Sequence, residues 1–175
     1  MNQSGQGPGG PELPAGINHL VLRVRDLETS ERFWTDMLGF RQTGEWQATP
    51  EQPWKLRFYS GGDEGGLHHH HVGLREDNTL PPVDQAAAAN GLSHVAITYP
   101  NRDAWLRQIR FLADNDVKMQ RVDHGMAHSV YIHDPDGYMI EALYDLPDEM
   151  WRQDVNDALN HFELRPDGEL IDRVC

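Results

Sequence analysis

The sequence predicts an α+β fold of two tandem βαβββ modules whose strands form one curved mixed sheet. Three observations lead there. Short apolar runs alternate with polar residues and are bounded by Gly, Pro, Asn and Asp, the signature of strands and turns. Two longer segments instead carry apolar residues at helical spacing, each behind a capping residue. The order strand, helix, strand, strand, strand occurs twice, over residues 17–75 and 92–145, and such internal repetition says more about architecture than any single element.

The first strand is expected over 17–24, where Ile17, Leu20, Val21, Leu22 and Val24 supply branched side chains. Asp26 caps a helix running to Leu38, with Leu27, Ser30, Trp34, Met37 and Leu38 on one face, and Gly39 takes the position just past its end. Strands follow over 40–46 and 54–59, separated by a loop holding Pro50 and Pro53. A glycine-rich turn over 60–66 leads to a fourth strand over 67–75 that carries His68, His69, His70 and His71. Residues 76–91 link the modules, and 81–91, with Ala86 to Ala89, suggests a short helix.

In the second module a strand over 92–99 precedes a helix capped by Asn101, with Trp105, Leu106, Ile109, Leu112 and Ala113 on its buried stripe and Asn115-Asp116 at its end. Strands are expected over 117–122, 129–133 and 138–143. Between the last two, Pro135 presets a turn and Gly137 supplies a residue that tolerates positive φ.

Flanking segments differ in composition. Residues 1–16 are rich in Gly, Pro and Gln and read as a flexible arm. Residues 146–175 form a tail in which Pro147 could open a helix reaching about His161, with Met150, Trp151, Val155, Leu159 and Phe162 as its apolar stripe.

A net charge of -13 argues against nucleic acid or an anionic membrane as partner, because both require clustered Lys and Arg. A single cysteine excludes an internal disulfide framework and suits a reducing cytoplasm. No apolar run is long enough to span a membrane.

The chemistry gathers on three residues. His19 and His94 each stand near the start of their module's first strand, so equivalent strands present equivalent imidazoles. Glu141 falls mid-strand between Ile140 and Ala142, where a carboxylate is costly unless something pairs with it. Two imidazoles and one carboxylate make a three-ligand metal site with open positions opposite, suited to Fe(II), with Mn(II) as the alternative.

The modules resemble the vicinal oxygen chelate superfamily, which includes glyoxalases, fosfomycin-resistance enzymes, bleomycin-binding proteins and type I extradiol ring-cleaving dioxygenases. The residues that carry the likeness are Ile17-Asn18-His19-Leu20, Gly39-Phe40, His94-Val95 and Asp134-Pro135-Asp136-Gly137 with Glu141. The resemblance implies the vicinal oxygen chelate fold, with the curved sheet enclosing a metal cleft.

Within that superfamily the chain is most similar to the small single-domain extradiol dioxygenases. The run from His70 to Leu74 resembles their segment with an acid/base histidine, which implies that role for His70, with His71 as the alternative. Asp123-His124-Gly125 and Tyr131 resemble their substrate-contacting His-Gly and Tyr. The implied activity is Fe(II)-dependent cleavage of a catechol-type ring by O₂ beside the diol, in a homodimer or higher homo-oligomer, with the aromatic diol and O₂ as small-molecule partners. A glyoxalase-like isomerase is the enzymatic rival. A bleomycin-resistance-like binding module is the non-catalytic one, although it would not need His19, His94 and Glu141.

Overall fold

The computed structural model describes residues 14–62, 68–83 and 91–165. The first module contains β1 (Leu20–Val24), α1 (Leu27–Arg32), β2 (Arg41–Glu45), β3 (Leu56–Ser60) and β4 (Val72–Glu76). The second contains β5 (Val95–Thr98), α2 (Arg102–Asp114), β6 (Gln120–Asp123), β7 (Ala127–His133) and β8 (Met139–Asp145). A 3₁₀ turn (Asp148–Met150), α3 (Val155–Asn160) and a short β9 (Glu163–Arg165) follow.

Local chemistry accounts for most boundaries. Asp26 accepts a hydrogen bond from the Thr29 amide at 2.8 Å, and Asn101 from the Ala104 amide at 2.9 Å, so each helix begins on a side-chain cap. Beyond Arg32 the first helix widens into a π-helical segment, Phe33–Met37, that ends before Gly39. In the hairpin between β7 and β8, Asp134 Oδ1 accepts the amides of Asp136 and Tyr138, both at 2.9 Å. Gly137 completes that turn at φ +84°, a value an L side chain rarely adopts.

Both modules share one topology. In each, the first strand pairs in parallel with the last, giving the orders β1-β4-β3-β2 and β5-β8-β7-β6-β9. Hydrogen bonding therefore makes two mixed sheets of four and five strands where one curved sheet was expected.

The modules are joined through their apolar faces. Leu22, Val24, Leu27, Trp34, Leu38 and Leu74 of the first pack in one cluster with Val95, Leu112, Ile132, Tyr138 and Ile140 of the second. Polar contacts reinforce the seam. Ser30 Oγ donates to Asp136 Oδ2 at 2.6 Å, the Arg25 amide to Asp136 Oδ1 at 2.9 Å, and Tyr138 OH to the Arg23 carbonyl at 3.1 Å.

Three sequence expectations need correction. The fourth strand starts at Val72, with the His71 backbone bonded to Leu20 and Tyr59 just before it, so His68 to His70 precede the ladder and the alternation of strand faces does not apply to them. The tail is not one helix to His161. It turns at Asp148–Met150, forms the six-residue α3, and ends its described part as a strand on the edge of β6. Strands β1, β5 and β6 begin at Leu20, Val95 and Gln120, each three residues later than expected, so His19 and His94 precede their strands. Residues 1–13, 63–67, 84–90 and 166–175 lie outside the described residues, and with them most of the expected arm, much of the glycine-rich turn and the expected linker helix.

Candidate active site

Register decides which side chains share a face. Residues directly opposite in paired strands point the same way. Glu141 pairs with Ala96 on one side and Tyr131 on the other, and Tyr131 pairs with Gln120. Their face is opposite to that of Val95, Ile132 and Ile140, which enter the inter-module core. Ser129 and Val122 continue the Glu141 face through their own pairing.

On this face a polar cluster surrounds Glu141, whose side chain is only 8% exposed. Ser129 Oγ, fully buried, donates to Glu141 Oε1 at 2.6 Å. His94 Nε2 stands 3.1 Å from Oε2, and His124 Nε2 stands 3.4 Å from Oε1. His124 Nε2 is also 2.9 Å from Tyr131 OH, and the rings of His94 and Tyr131 meet edge to face at 5.8 Å. Burial, and after it the Glu141 charge, pushes the Tyr131 phenol well above its ordinary pKa, so it stays protonated and able to donate. Four of the six sequence-assigned residues, His94, His124, Tyr131 and Glu141, thus come together. Ser129 joins them without having been singled out. Its signal was the hairpin turn, since once Tyr131 is placed opposite Glu141, Ser129 follows two residues along on the same face.

The other two lie on the first module. His19 immediately precedes β1, as His94 precedes β5, and its ring meets that of His70 at a tilt of 48°, with 4.2 Å between centroids. His70 also packs on Phe58 at 4.7 Å, while His71 Nδ1 reaches Ser60 Oγ at 3.1 Å. Burial, followed by the neighbouring imidazoles, lowers the pKa of His70 and holds it neutral.

His19, His94 and Glu141 do not converge within one chain. Among the described residues, only Asp123, His161 and Glu163 bring three ligand atoms within 4.8 Å of one another. Arg165 Nη2 sits 2.9 Å from both of those carboxylates, which already compensates their charge.

The repeat also shows what the first module lacks. Glu141 is opposite Ala96, two residues after His94. The corresponding partner of Val21, two residues after His19, is Gly73. The space over Gly73 is taken by Val21 Cγ2 and Leu56 Cδ1, which a Cβ would meet at 3.1 and 3.3 Å.

The donor set around Glu141, imidazole nitrogen beside a buried carboxylate, fits a divalent first-row metal. The family model of the glyoxalase/bleomycin resistance protein/dioxygenase superfamily matches residues 16–142. The chain belongs to this superfamily. It is 26% identical over 138 residues to the catechol-2,3-dioxygenase of Bacillus subtilis, covering 79% of this chain and 44% of that one. Against a probable lactoylglutathione lyase of Vibrio parahaemolyticus the identity is 30% over 132 residues, covering 73% and 88%. The fosfomycin resistance protein FosX of Listeria monocytogenes, complexed with Mn(II) and sulfate, shares the fold at a TM-score of 0.55 and 15% identity, over 78% of this chain and 98% of that one. The chain spans 44%, 63% and 54% of the length of three curated superfamily relatives that it matches. Among the described residues, no helix of this superfamily member is long and apolar enough to cross a membrane.

Proposed function

We propose that this superfamily member is an extradiol dioxygenase that cleaves a catechol-type ring with O₂ beside the diol. The observation that carries the reading is Gly73 at the position equivalent to Glu141. A glyoxalase-type site would draw a fourth ligand from the last strand of the first module, and here that strand offers a hydrogen atom. The ligand set is then His94, Glu141 and His19, which leaves positions open for two substrate oxygens and O₂.

Because His19 remains on its own module's face, the reading assigns the third ligand to His19 of a second copy of the chain, in a homodimer. Val21, beside it on that face, is 47% exposed, as an interface residue of the separate chain would be. Fe(II) held there, or Mn(II), would supply the electrophilic centre that brings a diol and O₂ together.

The remaining roles belong to the side chains. Tyr131 donates a hydrogen bond to a substrate oxygen where negative charge develops, and His124, 2.9 Å away, fixes the phenol's direction. Ser129 holds the Glu141 carboxylate in one rotamer. His70 of that second copy, beside its His19 and kept neutral, accepts the proton that a diol releases on binding.

Oxygen uptake by anaerobically Fe(II)-loaded protein with a panel of catechols tests the reading. A metal-loaded protein that consumes no O₂ with any of them would sink it. The lactoylglutathione lyase reading, favoured by the 30% identical relative, is then tested by lactoylglutathione turnover with the same preparation.

A further inference from the structure

We infer that the C-terminal strand β9 is a specificity element, with Phe162 and Leu164 forming an apolar wall that receives a ring substituent of the substrate. The inference rests on the proposed diol-cleaving activity for the identity of the substrate's polar end, and on independent geometry for the wall.

Strand β9 has no counterpart in the first sheet, and it lies beyond residue 142, where the superfamily match ends. Its pairing with β6 sets Leu164 opposite Val122, which is itself opposite Ser129. Leu164 therefore shares the face of Ser129, Tyr131 and Glu141. Phe162 immediately precedes the strand and is placed by a ring contact. Its ring stands 5.7 Å from that of His124 at 62°, and His124 touches both Tyr131 and Glu141.

The wall is held in place. Arg165 donates to Asp123 Oδ2 at 2.9 Å, and Asp123 Oδ1 accepts the Gly125 amide at 2.8 Å. Gly125, at φ +71°, leaves the room that His161 occupies, since a Cβ there would come within 3.1 Å of His161 Cβ. The segment before β9 thus seats on a position that only glycine provides.

Phe162 and Leu164 are nonetheless 62% and 55% exposed. An anchored apolar pair left in water beside hydrogen-bond donors fits a molecule with oxygens at one end and a flat apolar group at the other. A diol carrying an aryl group next to its hydroxyls has that shape, whereas unsubstituted catechol lacks the apolar group.

The test compares anaerobic calorimetric binding of catechol and of 2,3-dihydroxybiphenyl to Mn(II)-loaded wild type, Phe162→Ala and Phe162→Tyr. Light scattering follows the oligomeric state of each. The expected result is affinity for 2,3-dihydroxybiphenyl reduced on the order of 10-fold in Phe162→Ala, with catechol changed less than about 2-fold and Phe162→Tyr close to wild type. Equal losses for both diols would make Phe162 a structural residue and overturn the inference. So would unchanged binding of both, or a change of oligomeric state with binding intact, which would assign the face to a second copy. If the wild type binds neither diol, the dioxygenase reading itself fails, an outcome distinct from a wild type that binds both diols while Phe162→Ala does not discriminate.

Discussion

Replacing Ser129 with Ala isolates the contact that most directly shapes the site. Ser129 is fully buried, and its hydroxyl lies 2.6 Å from Glu141 Oε1, within the range of a charge-assisted O–H···O⁻ bond. The substitution removes one oxygen and adds no bulk, so the cavity contribution is small beside the lost hydrogen bond. A hydrogen bond to a charged group is worth roughly 1.5–3 kcal/mol, and the carboxylate keeps His94 and His124 as neighbours. The metal-free variant should therefore lose about 2 kcal/mol in urea unfolding at neutral pH, with an unchanged denaturant slope. Metal affinity should fall by about 10- to 100-fold, the usual effect of removing a group that orients a ligand, measured by competition with a chromophoric chelator. Stability within about 0.5 kcal/mol of wild type, together with unaltered metal affinity, would show that Glu141 does not depend on Ser129.

Mixing His19→Ala with Glu141→Ala chains after joint refolding should recover about a quarter of wild-type metal binding if sites form between copies, because half the dimers are mixed and each regains one of two sites; recovery of none would remove His19 of a second copy from the ligand set. His70→Ala should retain metal and diol binding while turnover drops by on the order of 10²–10⁴, with His71→Ala much less affected, as read from ring-fission absorbance. Asp134→Asn should stabilise the protein above neutral pH. Burial, the main cause, raises the Asp134 carboxyl to about 6 against 3.8 for the free side chain, so its contribution favours folding fully below pH 4 and is lost as pH rises through 6. The asparagine oxygen can still accept both turn amides, so unfolding curves at pH 5 and 8 should differ less in the variant, and an unchanged difference would exclude Asp134 as the cause.

Much of this architecture is written locally. Caps at Asp26 and Asn101 and the turn from Asp134 to Gly137 act within four residues, and the structure forms each where the residue types demand it. The repeated strand and helix order was equally legible, because each element's period shows in its own residues. So was the strain of placing Glu141 among apolar neighbours, since an ionised group needs compensation in any buried setting.

What stayed hidden depends on pairing between distant segments. Four histidines read as part of a strand because polar residues of one type carry no period. Only the partners of β4 show that pairing begins at Val72. The strand Glu163–Arg165 has no alternation of its own to display, and it exists because β6 had an open edge and Asp123 a charge for Arg165 to meet. Ser129 reaches Glu141 through register, and Gly73 stands where the repeat would have placed a second carboxylate for the same reason. Sequence determined the elements of the two repeats and which groups are chemically able to serve. Only the parallel pairing of first with last strand inside each module decided that His94 meets Glu141 while His19 meets His70, because such contacts link residues too far apart for any local pattern to encode.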